Sequence, residues 1–348
     1  MRNTNSKQTV RGFSLVELMV GMAIGMVAVI VIMQVFSVSE GYKRSTMGGD
    51  DAQNNGAIAI YGMQRDLRQA GYGFNAFNVI GCNVTLRTGV TVNALGPITI
   101  NHPSIPAGDA NTDTLLVFYG SGNDSPEGDH IETQMFQTTY TLTGLTTASG
   151  TPSVAANDRV IAQAATRPSP CALTMETVSS VANSSVTVPT GVAGMANGAL
   201  FNLGPTPRVL AYAVRGGNLT VCDYMVSNCG ASTLNPADWV PVASNIVSLR
   251  AQYGRDTASG VMDGIVDAYD QTTPATACAW LRARAVRLAL VARSVKESVT
   301  SATPTWAGSG TTPINLSANS DWQRYRYKTF ETTVPMRNMA WMGVQAGC

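Results

Sequence analysis

A single apolar run dictates most of what this chain can become. From residue 13 to residue 39 there are 27 positions, and Glu17 is the only ionisable side chain among them. At about 1.5 Å of rise per residue, an α-helix of that length is a rod of roughly 40 Å, longer than a hydrocarbon core of about 30 Å. It can cross a membrane once. A carboxylate near the end of such a helix is costly in lipid and tends to be kept for a specific partner, which makes Glu17 a candidate functional residue. Arg2, Lys7 and Arg11 precede the run and no acid does, a bias that orients the N-terminal flank to the cytoplasm and puts everything after residue 39 beyond the inner membrane. A secretory signal carries its cleavage site after a short apolar region. Here the candidate cut, between Gly12 and Phe13, comes before the apolar run, so cleavage would leave the helix on the mature chain.

Cysteine usage agrees with export. All six cysteines, Cys82, Cys171, Cys222, Cys229, Cys278 and Cys348, lie beyond the apolar run, and an oxidising compartment would pair them. Six cysteines allow 15 connectivities. Spacing favours Cys222 with Cys229, and Cys348 at the terminus is placed to staple the tail to the body. A zinc site is the rival reading, but no CxxC occurs and the only histidines, His102 and His130, are expected in separate loops. Charged residues are 13% of the chain, about half the usual 25%. Removing the leader takes three of 23 basic residues, leaving 20 against 22 acids. No clustered basic face remains for nucleic acid.

The run Arg11-Gly12-Phe13-Ser14-Leu15-Val16-Glu17-Leu18 resembles the class III signal of type IV pilins and of the pseudopilins of type II secretion. The resemblance implies that a prepilin peptidase cuts between Gly12 and Phe13 and N-methylates Phe13. It also implies that Glu17, fifth in the mature chain, helps dock the subunit into a filament. Farther on, Arg65-Asp66-Leu67-Arg68-Gln69-Ala70-Gly71, the stretch 285–294 and the closing Thr329-Phe330-Glu331-Thr332-Thr333-Val334-Pro335-Met336-Arg337-Asn338 look like the PilW-type minor pilins, relatives of the J-type pseudopilins. The first resemblance covers residues 1–75 and the second covers scattered blocks after residue 245, while residues 80–240 carry no run that suggests a family.

In that family the protein is a scarce subunit that primes assembly with other minor pilins and sits near the tip, often beneath a large adhesin. The partners implied are the prepilin peptidase, other minor pilins, the major pilin, a tip adhesin and the inner membrane, with no cofactor and no nucleic acid. The location implied is a single-pass inner-membrane protein with a periplasmic C-terminal domain, and then the extracellular pilus. Two alternatives share the same helix chemistry: a type II secretion pseudopilin, and a tip-exposed module whose loops touch surfaces, DNA or an adhesin.

The expected fold class is α+β, with a long N-terminal helix ahead of a β-rich, pilin-like globular domain with large loops. Expected divisions are a leader over 1–12, a helix over 13–73 with 13–39 in the membrane or filament core, and a globular domain over 74–348 of one or two lobes. Gly21 and Gly25 form a GxxxG pair, read equally as a close packing surface or as ordinary glycine usage in such helices. Gly48-Gly49 is the expected weak point of the helix. Beyond it, Ala57, Ile60, Tyr61, Gln64, Leu67 and Arg68 recur at helical spacing as the face packed on the globular domain, until Gly71 and Gly73 end the helix.

Strands are expected over 114–119, 134–142, 245–253, 285–293 and 325–334. The strongest hairpin signal is 208–214 and 218–222 about Gly216-Gly217. The Thr, Ser, Ala, Gly and Pro-rich stretches 143–170 and 300–320 read as surface loops. No nucleophile elbow, phosphate loop or ligand cluster points to an enzyme. Asp256, Asp263, Asp267 and Asp270 lie in a loop punctuated by Gly260 and Gly264. Oxygen ligands of that kind suit calcium, with Asp256, Asp263 and Asp267 as candidates, but the spacing departs from an EF-hand and a solvated β-turn is the favoured reading.

Overall fold

A computed structural model describes residues 12–74, 76–122, 127–144, 153–231, 235–294, 302–340, 342–345 and 348, with the side chains of 44–49 and 51 left aside. The leader residues 1–11, including Arg2, Lys7 and Arg11, lie outside the described residues, as do 145–152 and 300–301 of the two expected loops. The chain divides into two compact units, Met1–Asp50 and Asp51–Cys348. Helix α1 (Leu15–Gln69) contributes to both. In the first unit its segment Leu15–Lys43 has a mean hydropathy of 2.6, and every residue of it is exposed. An apolar surface on that scale has no cover within its own unit and requires lipid or other helices.

The second unit is strand-rich. In chain order come β1 (Cys82–Arg87), β2 (Val90–Leu95), β3 (Ile98–Ile100), β4 (Leu115–Tyr119), β5 (Asp129–Phe136), β6 (Thr139–Leu142), β7 (Arg159–Gln163), β8 (Ala172–Thr177) and β9 (Ser180–Ala182). Then follow β10 (Ser185–Thr187), β11 (Ala199–Asn202), β12 (Arg208–Arg215), β13 (Asn218–Asp223), β14 (Val240–Ser244), β15 (Ile246–Arg255) and β16 (Ala268–Asp270). Helix α2 (Ala277–Leu281), β17 (Ala283–Arg293), β18 (Tyr327–Pro335) and helix α3 (Arg337–Ala340) close the chain. They form a nine-stranded sheet in the order β2-β1-β8-β7-β11-β5-β6-β10-β9, a five-stranded sheet β14-β13-β12-β4-β3, and a four-stranded sheet β16-β15-β17-β18.

The part of α1 in this unit buries Ala52, Gly56, Ala59, Met63, Asp66, Leu67 and Ala70, a stripe at alternating three- and four-residue spacing. This differs from the face read from the sequence. Of that set Leu67 is buried and Ile60 and Gln64 are half-buried, while Tyr61 is 72% exposed. The contact is built on small residues: a side-chain carbon at Gly56 would stand closer to Cε2 of the Phe330 ring of β18 than atoms can approach. Gln64 Nε2 also donates to Thr332 Oγ1 at 3.1 Å. Gly71, at φ +81°, stops the helix, and its N–H turns to the Phe118 carbonyl at 2.8 Å.

In the four-stranded sheet β15 and β17 pair antiparallel, Leu249 facing Leu290. Val286, Leu288, Leu290 and Ala292 enter the main core. The opposite face is not simply solvated, because Ala289 and Val291 meet Trp306, Ile314 and Leu316 in a second cluster. The expected surface loop 300–320 thus has its own apolar anchor. The β12–β13 hairpin turns on Gly216 (φ +57°) and Gly217 (φ +72°), with Arg215 opposite Asn218, as two positive-φ positions require.

Two strand readings are corrected. The stretch 134–142 is not one strand but parts of β5 and β6, with Phe136 paired to Thr139 across a two-residue turn. The loop expected over 143–170 contains β7. With β5, β6, the strands of 172–202 and the unassigned β1 and β2, β7 builds the nine-stranded sheet, which carries a separate core of Ile131, Tyr140, Leu142, Val160, Val186 and Leu200 among others. Three disulfides close the unit: Cys82–Cys171, Cys222–Cys229 and Cys278–Cys348. The first ties β1 to the start of β8, its parallel neighbour.

Candidate functional site

The N-terminal stretch is built from a junction, a cap and an uncovered helix. Among the described residues Gly12 has no atom within 4 Å of where a side chain would begin, and Phe13 is 87% exposed. The Gly12–Phe13 bond is therefore open to a second protein. The first turn closes through Leu18 N–H to the Ser14 carbonyl at 3.2 Å. Glu17 Oε2 returns to accept the Ser14 N–H at 3.4 Å. Ser14-x-x-Glu17 is thus one half of a capping box, in which an acid three residues into the helix satisfies the N–H of its cap. The sequence reading missed this, although Ser-x-x-Glu ahead of an apolar run is its signature.

The cap gives Glu17 a defined position. Its carboxylate is exposed and sits at the positive end of the helix dipole, where an anion is favoured. Four positions separate it from Phe13, about one helical turn. A cation brought to this turn would find an acceptor already oriented by the Ser14 N–H. Gly21 and Gly25 lie one turn apart on the same helix face, and each has open space where a side chain would stand. A second helix could approach the backbone closely there.

The other candidates resolve differently. The acidic loop is largely exposed, as a solvated turn would be, with Asp263 and Asp267 on its surface; Asp256 at its base departs from that reading, and the calcium reading fails on this geometry. Asp256 is buried, its Oδ1 accepts from Ala258 N–H at 3.2 Å and its Oδ2 from Gly264 N–H at 2.8 Å. Arg282 and Arg284 stand 3.7 and 3.9 Å from its oxygens. Burial opposes its ionisation, yet the N–H groups of Gly264 and Ala258 and the two guanidinium groups hold its carboxyl below the usual range. Asp267 accepts from Thr257 N–H, Asp263 from Ile265 N–H, and Asp270 from Arg255. These acids hold the loop itself, and two arginines occupy the place a cation would need.

His102 lies in the loop after β3 and is buried there. Its Nδ1 accepts the Ser104 N–H at 3.1 Å and its Nε2 lies 2.6 Å from the Asn93 carbonyl; burial pushes its pKa down. His130 lies on β5, not in a loop. Among the described residues no group of three His, Cys, Asp or Glu side chains is arranged to hold a metal.

One buried acid that the sequence did not single out is Asp66. Its Oδ1 accepts the Tyr119 hydroxyl at 3.1 Å and its Oδ2 the Tyr212 hydroxyl. This anchors α1 to β4 and β12. Its only sequence signal was an acid inside the Arg65-to-Gly71 run.

Comparison with known proteins adds family information to this geometry. Residues 217–338 match the family described as Type IV Pilus-assembly protein W, and residues 7–33 match the Prokaryotic N-terminal methylation motif. The first match spans β13 to α3, including all of the four-stranded sheet; the second spans the Gly12–Phe13 junction, Glu17 and the glycine pair. No curated protein matches the chain. Among solved structures, a type IV-like pilin from Thermus thermophilus is similar over 82% of this chain and 96% of its own, at 10% identity and a TM-score of 0.30. That likeness is too low to carry an argument.

Proposed function

We propose, for a chain that is a PilW-type member of the type IV pilin superfamily, that it takes part in priming pilus assembly and is incorporated near the pilus tip. Members of this superfamily are structural proteins, and the chain is not an enzyme. One observation carries the reading: a helix with a mean hydropathy of 2.6 over Leu15–Lys43, uncovered within its own unit, starts directly behind an open Gly12–Phe13 bond. Such a helix suits storage in a membrane followed by transfer to a bundle of like helices.

In this account the inner membrane holds the precursor with its globular domain in the periplasm. Prepilin peptidase cuts between Gly12 and Phe13 and methylates the new amine. Glu17 then serves as the acceptor for the α-amino group of a neighbouring subunit, since an ionised carboxylate among packed helices needs a cationic partner. The partners are other minor pilins, the major pilin and an adhesin at the tip.

Deletion and complementation test the role. Loss of the gene should sharply lower fibre number while leaving the level of major pilin unchanged, and its return should restore fibres. Glu17→Gln should be exported and cleaved but crosslink poorly to its minor-pilin neighbours. Unchanged fibre number with loss of a secreted enzyme would instead assign the chain to type II secretion.

A further inference from the structure

Where the β12–β13 turn meets the end of β17 and the chain from Asn315 to Tyr327 passes alongside, the surface sinks into a cavity of about 370 Å³. That is room for about a dozen waters at roughly 30 Å³ each, and it falls at the lower end of volumes that hold small molecules. One wall is aromatic. Trp322 and Tyr327 line it, both half-buried, and the Tyr327 hydroxyl donates to the Trp322 carbonyl at 2.5 Å. Burial pushes the Tyr327 pKa up to about 12, so this phenol is neutral in ordinary buffers.

The polar side is rich in donors. Arg293 is held in place by the Tyr325 ring, 4.9 Å from its guanidinium carbon, and its Nε reaches Asn245 Oδ1 only at 3.5 Å. Among the described residues no carboxylate forms an ion pair with it. Asn315 and Asn319 use their Oδ1 atoms for the N–H groups of Ser317 and Asp321, which leaves their Nδ2 groups to donate outward. Asp109 is fixed by the N–H groups of Gly216 and Gly217 at 2.9 and 2.8 Å, and its oxygens retain further acceptor capacity.

The ligand chemistry follows from this inventory. A purely apolar molecule would leave the donors unpaired, and a multiply charged phosphate would face one cation and one anion. A sugar ring presents a flat apolar face to an indole and hydroxyls to amides, and a carboxylate on that ring matches a guanidinium in two parallel hydrogen bonds. We propose that this cavity binds a carboxylate-bearing sugar ring of an acidic glycan. Trp322 covers the ring face, Asn315, Asn319 and Asp109 engage its hydroxyls, and Arg293 takes the carboxylate. The site is independent of the assembly role assigned to the helix.

The test uses the full chain in micelles of a detergent without a sugar headgroup, titrated with D-glucuronate, D-glucose and a short Glu-Gly peptide. The other four tryptophans, Trp239, Trp280, Trp306 and Trp341, are kept in Trp322→Phe, so a fluorescence change that vanishes in that variant reports this cavity. Saturation-transfer NMR supplies a second readout. Glucuronate should bind saturably and at least about tenfold more tightly than glucose, as a charge-assisted hydrogen bond predicts. Arg293→Gln should erase that preference, and Asn319→Ala, at an exposed position, should weaken both sugars. The glucuronate preference of the unaltered chain needs no variant. The proposal is overturned by no saturable glucuronate signal, by a preference that survives Arg293→Gln in folded protein, or by tighter binding of the peptide than of the sugar.

Discussion

Replacing Asp66 with alanine would leave two buried phenols without their acceptor. Asp66 is 6% exposed, and Tyr119 and Tyr212 are 9% and 5% exposed, so water cannot easily take its place. Burial first, and the Asp66 charge second, push both phenols well above their ordinary pKa, which keeps them as donors. An orphaned buried partner costs about 1–3 kcal/mol, so two of them put Asp66→Ala at about 2–6 kcal/mol. Arg65 lies 3.6 Å away but is 71% exposed, and such a pair changes the figure by about 1 kcal/mol at most. Against a total of about 5–15 kcal/mol, the loss is large.

The sharper expectation is conditional. In a Tyr119→Phe/Tyr212→Phe background the carboxylate has already lost its donors and is a liability, so Asp66→Ala should then be mild or stabilising. Urea unfolding of the full chain in micelles, followed by near-ultraviolet circular dichroism, gives both costs. Equal costs in the two backgrounds, within about 0.5 kcal/mol, would refute the argument that the hydroxyls make this acid necessary.

Three other predictions concern the globular unit. Alkylation without reductant should label no cysteine. Removing Cys82–Cys171 or Cys278–Cys348, with separations of 89 and 70, should each cost about 4–5 kcal/mol by loop entropy, against about 2.5 for Cys222–Cys229 with a separation of 7; equal losses from all three would contradict the loop-closure account. Asp256 has its folded carboxyl held low, so its contribution is present above the unfolded pKa of about 4 and is lost as pH falls through the folded value. Asp256→Asn should flatten the fall in stability below about pH 4, and parallel acid curves for the two proteins would rule that out.

What was legible in the sequence was local. Gly12, Phe13 and Glu17 fall within six positions, and the apolar run behind them is continuous. The hairpin about Gly216-Gly217, β15 and β17 announce themselves by dense apolar content and by turn chemistry. The nine-stranded sheet was not legible because its strands are as short as three residues and its key pairing is distant. Val84 lies beside Leu173 in parallel, a contact no local pattern encodes.

Size, too, misled the reading of α1. Tyr61 drew the apolar face toward itself, whereas Gly56 and Ala59 mark the true one by letting β18 approach. Trp306, Ile314 and Leu316 hid within a Thr, Gly and Pro-rich stretch because their burial depends on Val291 of β17. Asp66 carried no local signal of burial, since its donors lie 53 and 146 positions away.

The central claim is that this chain is cut, methylated and built into a pilus through its N-terminal helix. It is tested most directly by mass spectrometry of pili sheared from cells and purified away from membranes. The account predicts a low-abundance peptide that begins at N-methylated Phe13 within the fibre fraction, and its loss from that fraction when Gly12 is replaced by valine. A chain found only in the membrane with residues 1–12 still attached, or a fibre fraction that lacks it while normal fibres form, would contradict the account.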